Sequence, residues 1–166
     1  MKNLVAFPLL AVILMFQLAI FSRITLFSGM VDLMLVVLVA WALQEQVESS
    51  WHWAAVGGLM VGAVSGLPIL TYPLAYLLSV ALARFILRQI WQTPLLALFG
   101  VMFFSTLIVN LVTYLALFFT GTTLSFGDIL ALITLPSVFL NLLLALPVHS
   151  LIRDLALWVY PVDDMV

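Results

Sequence analysis

The chain has 166 residues, of which 66% are hydrophobic and 7% charged, with five Lys/Arg, seven Asp/Glu and a formal net charge of −2. Soluble domains carry about 25% charged residues, so this composition excludes a chain that stays dispersed in water. Five scattered basic residues exclude a nucleic-acid footprint, and the absence of cysteine excludes disulfides, thiol catalysis and thiolate metal sites.

Long apolar runs separate the charges, as they would if the charges marked where the chain leaves a hydrocarbon core about 30 Å thick. The expectation is an all-α polytopic membrane protein, one domain over residues 1–166 with six transmembrane helices. Helix 1 is expected over Leu4–Ser22 and is read as retained, because Ile20-Phe21-Ser22-Arg23 offers no small-x-small cleavage site. Helix 2 is expected over Phe27–Leu43, ending at the polar stretch Gln44–Ser50. Helix 3 follows from Trp53 to Gly66, and Leu67–Pro73 forms a tight connection with Thr71 or Tyr72 as a cap. Helix 4 reaches Arg84 and Arg88. Helix 5 runs from after Trp91-Gln92-Thr93-Pro94 to Phe119, and Thr120–Leu124 carries turn residues. Ser125-Phe126-Gly127-Asp128 fits a capping box that opens helix 6, which extends to Trp158. Pro136 and Pro147 should each bend that helix or free a carbonyl for a neighbour.

With six spans, Lys2, Arg84, Arg88 and Arg153 share one side and Arg23 lies on the other, which places both termini in the cytoplasm by the positive-inside rule. Trp41, Trp51, Trp53, Trp91 and Trp158 fall at the cytoplasmic ends. No linker, second domain or internal repeat is visible, which weighs against an inverted-repeat transporter.

Ala54, Gly58, Gly62 and Gly66 recur every four residues on helix 3, and Ala75, Ser79 and Ala83 do so on helix 4. Such stripes let helix backbones approach closely, either helix 3 on helix 4 or a partner's helix in a groove. Asp32, about one turn inside helix 2, is the most embedded carboxylate. Three readings stand for it: an anion at a helix N-terminus, a pair with Arg23, or a pair with a partner. Asn110, Thr113 and Tyr114 share a face of helix 5, and Thr134, Asn141 and Ala145 share one of helix 6, as interhelical glue or as a pocket. His52 and His149 have no inward carboxylate beside them and make no zinc site. No catalytic motif is visible, and no cofactor, metal or enzymatic activity is expected.

Three stretches resemble the rod shape-determining protein MreD family. They are Val31-Asp32-Leu33 running on to Leu43, Gly58-Leu59-Met60-Val61 leading to Ser65-Gly66-Leu67-Pro68, and Asn141-Leu142-Leu143-Leu144-Ala145-Leu146-Pro147 followed by Arg153. The chain departs from the family at Gly62, where an acid is common, and at Leu70, where a glycine is common, so no residue inherits that acid's role. The resemblance implies a non-enzymatic scaffold of the bacterial cell-elongation complex in the cytoplasmic membrane. Its implied partners are an MreC-type single-span protein, a RodA-type glycosyltransferase and a class B penicillin-binding transpeptidase. It also implies a fold similar to the substrate-binding subunits of energy-coupling-factor vitamin transporters, the rival function. Ala6, Ala11 and Ala19 do not form the Ala-x-x-x-Ala docking motif of those subunits. The candidate partner-helix residues are therefore Asp32, Gly58, Gly62, Gly66 and Asn141.

Overall fold

A computed structural model describes residues 6–20, 23, 25–45, 47, 49–89, 94–122 and 125–159. Lys2, Leu4, Ser22, Trp91 and Leu124, named above, lie outside the described residues. The described chain is mostly helical. Its helices are α1 (Ala6–Ala19), α2 (Leu33–Ala42), α3 (Ser50–Val64), α4 (Thr71–Gln89) and α5 (Pro94–Phe119), then α6 (Phe126–Asp128), a π-helical segment (Ile129–Thr134) and α7 (Leu135–Val159). The last three run on without a break. Two stretches are long and apolar enough to cross a membrane by length and composition, Leu95–Phe119 and Phe126–Val159.

At the centre lies α2, all ten of whose side chains are buried. It is apolar on every side, as a helix enclosed by its neighbours can be. Around it stand α1, α3, α4, α5 and α7. At 1.5 Å per residue it is about 15 Å long, half of a bilayer's hydrocarbon thickness.

The expected start of this helix at Phe27 is corrected by the structure. Residues 25–30 form a two-residue antiparallel ladder instead, β1 (Thr25–Leu26) against β2 (Gly29–Met30), with Leu26 opposite Gly29. Phe27 sits at its tip with φ 54° and 79% of its surface exposed. Ser28, Gly29 and Asp32 are turn and cap residues, and they outweigh the helical content of the apolar neighbours. Gly29 has a further reason to be glycine. A Cβ there would lie 2.7 Å from both Pro136 Cβ and the Ser137 amide nitrogen, and 2.8 Å from the Ile133 carbonyl.

The hairpin docks where the last helix changes its winding. Pro136 has no N–H to return to the carbonyl four residues before it, and that carbonyl, on Leu132, accepts from the Ser28 amide at 3.0 Å. The expectation that Pro136 frees a carbonyl for a neighbour thus holds, and the π-helical winding precedes it directly. The capping box does not form. Ser125 takes the cap position, but its side chain makes no capping hydrogen bond.

The tight connection between α3 and α4 is present, with Gly66 at φ 73° just past the end of α3, a left-handed position that favours glycine. A Cβ on Gly58 would collide with the Pro73 backbone, and one on Gly62 with the Ile69 carbonyl oxygen. Ala75, Ser79 and Ala83 are buried on α4. α4 itself begins at Thr71, so Pro73 occupies its first turn rather than its first position. Trp41 and Trp53 do not lie on the surface. Their rings stack at 4.2 Å in the core, whereas Trp51 and Trp158 are exposed.

A Gly29→Val variant should therefore lose folded protein. The overlap falls on backbone and on a rigid ring, so a drop of about 1–3 kcal/mol in stability is expected. Thermal unfolding in detergent checks it, and a melting curve like that of the natural chain would refute the docking of hairpin on helix.

Candidate functional site

The most concentrated set of buried polar contacts surrounds the N-terminus of α2, where helical geometry leaves backbone N–H groups without partners. Asp32 is the cap. Its Oδ1 accepts from the Leu35 amide at 3.0 Å, the usual service of an aspartate in this position. The Tyr76 hydroxyl, fully buried on α4, donates to the same carboxylate at 2.9 Å from each oxygen. The Met34 amide donates to Gln17 Oε1 on α1 at 2.8 Å. The Asp32 amide itself donates to Asn141 Oδ1 on α7 at 3.0 Å.

Asn141 is held in turn. Its Nδ2 donates to Thr106 Oγ1 on α5 at 3.1 Å, and that hydroxyl donates to the Met102 carbonyl at 2.9 Å. Asn110 donates to the Thr106 carbonyl within α5. Asn141 thus joins α7 to α5, but its partner is Thr106, which is not one of the expected Asn110, Thr113 and Tyr114.

At the other end of α2, Arg84 reaches the Ala42 and Gln44 carbonyls at 3.5 and 3.4 Å, and Gln44 Nε2 donates to the Ala40 carbonyl at 3.0 Å. An anion at the start and a cation at the finish both complement the helix dipole. Of the three readings of Asp32, the helix-terminus one is what the geometry displays. Its intramolecular partner is Tyr76 on α4, and Arg23 is exposed.

The five sequence candidates are thus distributed as follows. Asp32 and Asn141 meet at the start of α2. Gly58 and Gly62 lie against the segment from Ile69 to Pro73, and Gly66 is exposed just past the end of α3. Three further residues carry the site: Gln17, Tyr76 and Thr106. Gln17 had a signal, as the single polar residue in the apolar run Leu4–Phe21. Tyr76, 44 residues from Asp32, had none.

Two clefts flank this core. One, of about 180 Å³, lies between α5 and the π-helical segment and is lined by Leu107, Leu111, Tyr114, Phe126, Ile129 and Thr134. The other, of about 210 Å³, lies where α1, α3 and the start of α4 meet Met30 and Val31. Among the described residues no three His, Asp or Glu side chains come together. No family profile, curated protein or solved structure matches the chain.

Chemically, the arrangement is an anchor for a short helix. Asn141→Leu should strand the Asp32 amide and cost about 1–3 kcal/mol. Asp32→Ala should cost about as much, through the lost cap and the orphaned Tyr76 hydroxyl. Asp32→Asn keeps a capping oxygen, and its loss should stay below about 1 kcal/mol. Melting temperatures in detergent, which move by about 2–4 °C per kcal/mol at this chain length, rank the three variants.

Proposed function

We propose that the protein is a multi-pass scaffold subunit of the bacterial cell-elongation complex, set in the cytoplasmic membrane with both termini inside. In this reading it receives the transmembrane helix of an MreC-type single-span partner. A RodA-type glycosyltransferase and a class B penicillin-binding transpeptidase complete the assembly. The motif resemblance in order along the chain supplies the family.

One structural observation carries the scaffold reading. In each of the two long apolar helices only 39% of the most apolar window is buried within the chain, so most of that surface is left for lipid or for another protein. The exposed positions include Phe104, Leu111, Phe118, Phe139 and Leu143. Within the bundle, the polar groups around Asp32 fix the chain's own backbone.

In this proposal the six crossings are α1, α3, α4, α5, the continuous Phe126–Val159 helix, and a composite second crossing. That composite joins the extended residues 28–32 to the short α2. Irregular backbone at membrane depth is tolerated only where protein surrounds it, and the Ser28, Met30 and Asp32 amides here do have protein partners.

Because Gly58 and Gly62 face the chain's own turn, the partner helix docks elsewhere. Apolar helices gain nothing from leaving water inside a bilayer, so close shape complementarity drives their association. The cleft between α5 and the π-helical segment has the size of one large side chain and offers such a fit. Leu111→Trp should fill it and reduce co-purification with an MreC-type partner several-fold while the protein itself stays folded. Gly62→Leu should instead reduce the amount of folded protein. Normal co-purification of a folded Leu111→Trp variant would refute this docking face, and recovery of no elongation-complex protein with the natural chain would refute the function.

A further inference from the structure

We propose that the cleft beside the hairpin binds the acyl chain of one membrane glycerolipid, with the lipid's ester carbonyl received by Gln17 and Tyr72. The proposal goes beyond the scaffold role and rests only on the membrane setting of that reading.

Leu14, Met30, Val61 and Val64 give the cleft its apolar walls, and Gln17 and Tyr72 supply polar atoms. The Met34 amide can only donate, so the oxygen of the Gln17 amide must be the atom that faces it at 2.8 Å. That orientation leaves the Gln17 Nε2, with two N–H donors, without an acceptor among the described residues, on a side chain that lines the cleft. The Tyr72 hydroxyl likewise has no hydrogen-bond partner among the described residues, and its ring packs edge-on against Tyr76 at 5.7 Å. Both side chains are half-buried, and in an apolar setting a donor without an acceptor carries a cost that a neutral acceptor would remove.

Size selects the occupant. A volume of about 210 Å³ is below the range of about 300–1,000 Å³ that suits drug-sized molecules. It is also too narrow for a helix about 10 Å across. It holds about seven water-sized groups, the bulk of a short stretch of one hydrocarbon chain.

Charge selects the contact. Among the described residues no cation lines the cleft, and the Asp32 carboxylate lies one residue beyond Val31, so the recognised group is a neutral acceptor rather than a phosphate. An acyl ester unites the two requirements, an apolar chain and a carbonyl oxygen at its head. Gln17 lies two residues before the end of α1 and Tyr72 at the first turn of α4, which puts the donors at one rim of the bundle, where a glycerol backbone would sit.

Native mass spectrometry of the detergent-purified chain, titrated with palmitoyl-oleoyl phosphatidylethanolamine and with its ether-linked analogue, tests this directly. One ester lipid should bind per chain, and the ether lipid, which lacks the carbonyl that both donors address, should bind at least about tenfold more weakly. Tyr72→Phe should weaken ester binding several-fold and leave ether binding unchanged. Val64→Trp, at an exposed position with no hydrogen bond to lose, should fill the cleft and abolish binding, and Leu14→Trp serves the same purpose should the first variant fail to fold. Equal affinity for the two lipids, or full binding by a folded tryptophan variant, would overturn the proposal. Carbonate extraction of native membranes separates this from the wider reading: a chain that stays in the membrane pellet but binds no lipid sinks only the lipid site.

Discussion

The fold depends on solving one problem, the burial of a helix N-terminus away from water. A ten-residue helix enclosed on all sides cannot send its unpaired amides to solvent, and each one left bare in an apolar interior costs several kcal/mol. The acceptors come from three places in the sequence, Gln17 on α1, Asp32 at the cap itself and Asn141 on α7. Tyr76 and Thr106 hold two of those acceptors in position from α4 and α5. A helix that gains little from its own length is in this way tied to four of its neighbours, and the arrangement of the bundle follows from those ties.

The segment leading into α2 obeys the same constraint by a different means. Residues 28, 30 and 32 each donate their amide to the last helix: to the Leu132 carbonyl, to Ser137 Oγ at 3.1 Å and to Asn141 Oδ1. Alternate amides of an extended chain point the same way, and the acceptors at 132, 137 and 141 lie on successive turns of a helix. The extended segment is thereby tied to a helix, while its residues Gly29 and Met30 also pair with β1. Pro136 makes the first of these acceptors available, and Gly29 lets the strand approach closely enough to use it.

How much of this was legible in the sequence depended on whether the signal was local. The long helices were, because an unbroken apolar run bounded by turn residues has one simple reading: Pro94 and Phe119 bound α5 as expected. The start of α2 was not. In a chain this apolar the alternation that separates strand from helix is absent, and Phe27 to Met34 reads as helix unless Gly29 and Asp32 are given more weight than their neighbours. The glycine stripe of α3 announced close approach to helix 4, and Gly58 does meet Pro73 in the first turn of α4, whereas the contact of Gly62 with Ile69, just before that helix, is specified by the fold alone. Asp32 stood out for its charge, whereas Tyr76 looked like one more aromatic residue. The tryptophans misled in a similar way, since Trp41 and Trp53 have the composition of an interfacial belt and the location of a core.

The strand laid along the last helix carries a consequence for the order in which the molecule can be made. Met30 and Asp32 find their acceptors 107 and 109 residues further along the chain. During synthesis those amides emerge long before Ser137 and Asn141 exist, so the segment that carries them is completed last although it is translated early. The final helix works as the latch that lets the beginning of the chain settle.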